Sequence, residues 1–183
     1  MAGMVMAAAG NAATAGNVAK KMADSVLNAN RSVWLVLQNS TKFNLCHPCW
    51  YGKKGRIHEN MSYCIKPESV ANFDFRKAYW GVMGAEGVLK YQIGDMPDKN
   101  LFIFYSNPYV GYNKFSLWFS ESPKVDNKLC TLMLQTAWRV CNPVTWHTTE
   151  EDKVKKYRDT IFKASGYCSQ GECASLLVTL TEK

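Results

Sequence analysis

The first nineteen residues carry no charge, and the whole chain has only 15 acidic residues against 22 basic ones, three histidines and no long run of leucine, isoleucine or phenylalanine. Each shortage excludes something. Met1–Ala19 lacks the charge of a solvated surface helix, yet its Ala and Gly are too weakly apolar for a lone, translocon-inserted span. No basic segment precedes an apolar one at the start, so no ordinary signal peptide is expected. With His47, His58 and His147 as the only imidazoles, no nucleophile elbow, no paired-carboxylate motif and no phosphate-cradling Gly-x-x-x-x-Gly-Lys, the expectation is a non-enzyme without a cofactor. Seven cysteines are too sparse for a disulfide-dense miniprotein, and their odd number leaves at least one unpaired. The acid deficit gives a net charge of +7 and a pI near 9.0, which favours an acidic partner, nucleic acid or anionic lipid. Because the lysines and arginines are scattered in short groups such as Lys20-Lys21 and Lys53-Lys54, a nucleic-acid groove is disfavoured.

What is plentiful is aromatic. The 183 residues, 13% of them Phe, Trp or Tyr, suffice for one compact domain with a sizeable core. The pattern centres on residues 101–119, LFIFYSNPYVGYNKFSLWF. Leu101–Tyr105 suits a buried pleated surface, and Phe115, Leu117 and Phe119 share one face at period two, so both runs are expected to be strands. Between them Ser106, Asn107, Pro108 and Gly111 supply turn chemistry, and Tyr105, Tyr109, Tyr112 and Phe115 surround the turn with rings. Two readings stay open: an aromatic rim for a membrane interface, or an aromatic core beneath an ordinary hairpin.

From Ala15 onward, Val18, Ala19, Met22, Val26 and Ala29 recur at helical spacing, opposite Lys20, Lys21 and Asp24, and predict an amphipathic helix ending near Asn30. Read as a helix, Met1–Ala19 would extend about 28 Å, near the thickness of a bilayer core. The helix either packs on its own protein, with the first ten residues a tail, or inserts conditionally. Strands are expected at Ser32–Gln38, through Phe43–Leu45, and at Tyr63–Ile65, Val70–Phe75, Gly87–Ile93 and Leu176–Thr181, a spacing that points to a sandwich or barrel. Residues 127–140 read as a second helix, with Asn127 as its cap and Asn142-Pro143 as its stop. Cys46-x-x-Cys49, with His58 and Cys64, has zinc-site spacing, against an ordinary strand and turn. Cys168 and Cys173 fit a hairpin disulfide or two thiols. The tripeptides at Asn30, Asn39 and Asn60 match glycosylation acceptors by chance composition.

Leu27–Val33 leading into Val36–Ser40, then Gly87-Val88-Leu89-Lys90-Tyr91, Phe104–Tyr109, Tyr112-Asn113, Ser116 and Trp118, resemble the actinoporins, pore-forming cytolysins of sea anemones, and their relatives in molluscs and vertebrates. The likeness covers roughly residues 12–145. It implies a mainly β fold, a compact β-sandwich flanked by two α-helices: the N-terminal amphipathic helix of a membrane-inserting region 1–29, and a second helix near 127–140 within a membrane-binding domain 30–183. It implies a protein secreted or soluble before reaching a target membrane, monomeric in solution. That protein binds phosphocholine-type or anionic headgroups, forms a homo-oligomer there, and inserts its N-terminal helix as a cation-permeable, cytolytic pore. Ser106 and Pro108 match the family's Ser-x-Pro at the headgroup site, and Tyr112 a loop tyrosine beside Tyr109. A family tryptophan falls on Lys114, a tyrosine on Phe115, and three second-helix tyrosines on Gln135, Arg139 and Val140. Lys114 and Arg139 thereby become candidate phosphate ligands in a thinned choline cage. Val5, Val18, Met22 and Val26 are the implied inserting residues. The alternative keeps the sandwich without the pore, as a lipid- or glycan-binding, lectin-like module.

Overall fold

A computed structural model describes residues 31–78, 83–121, 124–139, 147–149 and 161–183. Its strands are β1 (Ser32–Ser40), β2 (Leu45–Lys54), β3 (Arg56–Ile57), β4 (Cys64–Ile65), β5 (Ser69–Arg76), β6 (Ala85–Ile93), β7 (Asn100–Asn107), β8 (Lys114–Ser120), β9 (Trp138–Arg139), β10 (His147–Thr149), β11 (Phe162–Cys168) and β12 (Cys173–Glu182). Helix α1 (Asn127–Thr136) lies between β8 and β9. Two six-stranded sheets result, ordered β10-β11-β12-β1-β5-β3 and β4-β2-β6-β7-β8-β9. All pairings are antiparallel except β1 with β12. The expected sandwich is present. The expected N-terminal helix falls outside the described residues.

Alternation explains the core. Val33, Leu35 and Leu37 of β1 and Phe73 and Phe75 of β5 meet Leu89 and Tyr91 of β6, Ile103 and Tyr105 of β7, and Phe115 and Leu117 of β8 between the sheets. At its centre Phe75 stacks on Tyr105 with ring centroids 4.2 Å apart and on Trp50 at 6.0 Å. Trp50 Nε1 donates to the Tyr105 hydroxyl at 2.8 Å. Gly87 opposite leaves space for that hydroxyl, since a Cβ there would lie 2.7 Å from it. Burial holds the Tyr105 and Tyr91 phenols well above their ordinary pKa. On the outer face of the second sheet, Phe102 and Phe104 of β7 and Val88 of β6 pack beneath Cys130 and Met133 of α1.

The helix is shorter than expected. Asp126, not Asn127, is its cap, accepting from the Leu129 N–H at 2.9 Å. It ends at Thr136 because Ala137 turns extended and Trp138–Arg139 pair with Lys114 and Phe115 as a sheet edge, where hydrogen bonding to β8 replaces another helical turn. Besides β9, the short strands β3 and β10 were not expected, and β2 goes beyond what was. β2 runs on through Cys46–Lys54 by way of irregularities in its register with β6, and β11 occupies Phe162–Cys168, where no strand was expected.

Cys46 and Cys64 sit directly opposite on β2 and β4 and form a disulfide. Two sulfurs of the zinc alternative are thereby withdrawn. Cys168 is a buried free thiol, which removes the hairpin disulfide. Burial pushes that thiol up to about 12. The Asn39 tripeptide is no acceptor: Asn39 is buried, and its amide donates to the carbonyls of Phe43, Ile65 and Lys66 while its oxygen takes the Thr41 hydroxyl.

Phe75→Ala removes the ring that joins Trp50 and Tyr105. It is expected to cost about 3–5 kcal/mol of unfolding free energy, read from urea denaturation with an unchanged m-value; a loss under about 1 kcal/mol would contradict this account of the core.

Candidate functional site: a clamped aromatic loop at one end of the sandwich

The loop between β7 and β8 is held at both ends by an asparagine. Asn107 Nδ2 donates to the carbonyls of Ser32 at 2.8 Å, Glu172 at 2.7 Å and Gly171 at 3.3 Å. Asn113 Nδ2 donates to Ser169 at 2.9 Å and Gly171 at 3.1 Å, and its backbone N–H to Gln170 Oε1 at 3.2 Å. Both anchors are buried. They tie the loop to the β11–β12 turn and to the start of β1, so burial of two polar side chains fixes a segment that has little core of its own. Gly111 adopts φ +108°, a conformation costly for any side chain.

What the clamp presents is apolar. Tyr109 is 51% exposed, Tyr112 54%, Val110 85% and Met83 62%. Met83 belongs to this end because Gly84 passes so close to Asn107 and Pro108 that a Cβ would collide with the Asn107 carbonyl. The Arg31 guanidinium lies over the Tyr109 ring, 5.3 Å from its centroid, and pairs with Glu172 at 3.9 Å. A cation and amphipathic rings at one end are the combination that suits a lipid–water boundary.

Of the residues expected to bind a headgroup, Tyr109 and Tyr112 are exposed and Pro108 and Lys114 half-buried. Arg139 is in register with Lys114 on the neighbouring strand. Phe115 requires a correction: it is fully buried in the core, where Gly166 of the opposite sheet lets β11 approach so closely that a Cβ there would stand 2.8 Å from the Phe115 ring. Inward orientation on β8 leaves it no headgroup to touch. Ser106 is also covered, with its Oγ donating to Glu86 Oε2 at 3.0 Å. Val5, Val18, Met22 and Val26 lie outside the described residues.

Sequence reasoning passed over Met83, Val110, Glu86 and the two asparagine anchors. Val110 adjoined the tyrosines and was legible there; the asparagines resembled any polar turn. Among the described residues no group of three or more His, Cys, Asp or Glu is placed to hold a metal ion. Burial, and next the Glu86 charge, raise the Cys130 thiol to about 11, which leaves it unreactive at neutral pH.

No protein-family model matches the chain, and no curated protein matches it either. The solved structures do. The fold is shared with a lipid-binding protein. The crystal structure of lipid binding protein Nakanori superposes with a TM-score of 0.70 over 91% of this chain and 79% of that one, at 13% identity. Weaker similarity extends to IP-1A from Alcaligenes faecalis, with a TM-score of 0.45, 15% identity and coverage of 87% and 97%. It extends also to the Xerocomus chrysenteron lectin XCL, with a TM-score of 0.48, 9% identity and coverage of 82% and 99%. At such identities the first establishes the β-sandwich and nothing finer.

Asn107→Ala removes a donor shared by three carbonyls, of which Gly171 keeps Asn113 Nδ2 and Glu172 the Ser32 N–H. It is expected to raise amide hydrogen exchange across residues 108–112 and 169–172 by at least tenfold while exchange in β7 and β12 stays slow. Unchanged exchange in both loops would show that the clamp does not hold them.

Proposed function

We propose that the chain is a lipid-headgroup-binding β-sandwich that docks on membranes through its β7–β8 loop, oligomerises there and inserts residues 1–29 to open a pore. The observation that carries the docking step is the buried Asn107–Asn113 clamp beneath exposed Tyr109, Val110 and Tyr112, with Met83 beside them. A folded protein that holds large apolar side chains rigidly in water keeps them for a partner. The net charge of +7 supports an anionic surface as that partner. The shared fold with a lipid-binding protein agrees with this reading.

Insertion rests on different grounds. Residues 1–19 have no charged side chain to desolvate, and Ala and Gly enter lipid at low cost once the chain is held at the surface. Among the described residues no helix is long and apolar enough to cross a membrane. Tyr109 and Tyr112 act first, residues 1–29 second.

Two measurements separate the steps. Tyr109→Ala and Tyr112→Ala are each expected to weaken vesicle binding by about 1 kcal/mol, roughly fivefold, seen by co-sedimentation. Deletion of residues 1–29 is expected to abolish dye release and leave co-sedimentation intact. Intact protein that binds vesicles without ever releasing dye would leave a non-lytic binding module, and protein that binds no vesicle would refute docking.

A further inference from the structure

The second sheet carries a row of polar residues that its register places side by side. Lys54 lies opposite Glu86, Glu86 opposite Ser106, Ser106 opposite Lys114, and Lys114 opposite Arg139, on β2, β6, β7, β8 and β9. Directly paired residues share a face. Ser106 has the parity of Phe102 and Phe104, so the row crosses the outer face that α1 covers, past the end of the apolar patch. Lys114 follows the clamped loop at once, only two positions from Tyr112.

Glu86 is the one carboxylate in this row, and it is buried. Ser106 donates to it at 3.0 Å, while Lys53 Nζ stands 3.5 Å from Oε1 and Lys54 Nζ 3.9 Å from Oε2. Those ammonium distances are long for charged hydrogen bonds, so both heads are held nearby without their donors being consumed. Lys53 Nζ also lies 3.4 Å from Thr131 Oγ1 of α1. Lys114 has no ion pair among the described residues. Two lysines therefore flank the one carboxylate, and Lys114 and then Arg139 follow it in register.

We infer that this row is an anion subsite that takes the phosphate of an acidic lipid headgroup, with Lys53, Lys54 and Lys114 as ligands, Arg139 next in register, and Glu86 as the buried counter-charge that positions the lysines. The inference rests on the docking reading above and gives it a chemical class. Lys54 and Lys114 are three strand spacings apart, about 14 Å between Cα atoms, within reach of two four-carbon stems converging over Ser106. A choline cage is poorly supplied here. Helix α1, NKLCTLMLQT, has no ring; Phe115 is in the core, and Tyr109 already carries the Arg31 guanidinium.

The test compares co-sedimentation of wild type, Lys114→Gln and the charge-balanced double variant Lys54→Gln/Glu86→Gln. The vesicles are pure phosphatidylcholine or phosphatidylcholine with a phosphatidate fraction, at low and high salt. Wild type is expected to gain affinity with phosphatidate, and Lys114→Gln to lose about fivefold of that gain, with a shallower salt dependence and a smaller loss on pure phosphatidylcholine, whose phosphate carries one charge fewer. The double variant is expected to lose a comparable share, since the lysine goes while no charge is stranded. If wild type gains nothing from phosphatidate, or both variants keep the full gain, the subsite is overturned and docking stands. If wild type binds no vesicle, docking fails and the headgroup subsite with it. Melting in inorganic phosphate identifies the source: stabilisation of wild type but not of Lys114→Gln, without any phosphatidate effect on vesicles, overturns the lipid origin in favour of a soluble phosphate compound.

Discussion

Strand β7 is buried on both faces, and the sandwich is built outward from that condition. Leu101, Ile103 and Tyr105 face the opposite sheet, while Phe102 and Phe104 face α1. A strand covered on both sides has no solvent face to absorb a shift, and slipping by one residue would exchange two well-packed sets of side chains. Its register with β6 and β8 is therefore tightly determined. So are the positions of the residues at its end, where Ser106 and Asn107 leave the apolar run and meet polar partners.

That end is where rigidity becomes useful. Asn107 and Asn113 transfer the order of the core to a loop with no core of its own, through carbonyls contributed by β1 and by the turn between β11 and β12. Segments far apart in sequence thus converge on one surface. The start of β1 supplies Arg31, the approach to β6 supplies Met83, and the loop supplies Tyr109, Val110 and Tyr112. Preorganisation of this kind lowers the ordering cost of an encounter with a surface, since the rings need not be collected first.

The polar row across the second sheet follows from the same register. A buried carboxylate next to two lysines and a serine hydroxyl is tolerated because its charge is compensated, though at ammonium distances that leave donors available. Removing Glu86 alone would free the lysines and leave them to repel each other. Sheet pairing thus brings Lys54, Glu86, Ser106 and Lys114, far apart in sequence, into one row, with Arg139 next in register.

Period-two alternation and turn chemistry were enough to read strands at β1, β5, β6, β7, β8 and β12, because those signals are local and repeat along the chain. Aromatic excess and net charge, as properties of composition, carried only the expectation of an acidic partner. The sequence could not tell which rings were core and which were rim: Phe115 and Tyr112 lie three residues apart with similar chemistry, and only packing against Gly166 sends one inward. Nor could it pair Cys46 with Cys64 against Cys49, end the helix at Thr136, or join Lys54 to Glu86, Ser106 and Lys114. Those outcomes depend on which strands become neighbours. Neighbourhood is a long-range choice made by the whole core, and no stretch of the chain encodes it alone.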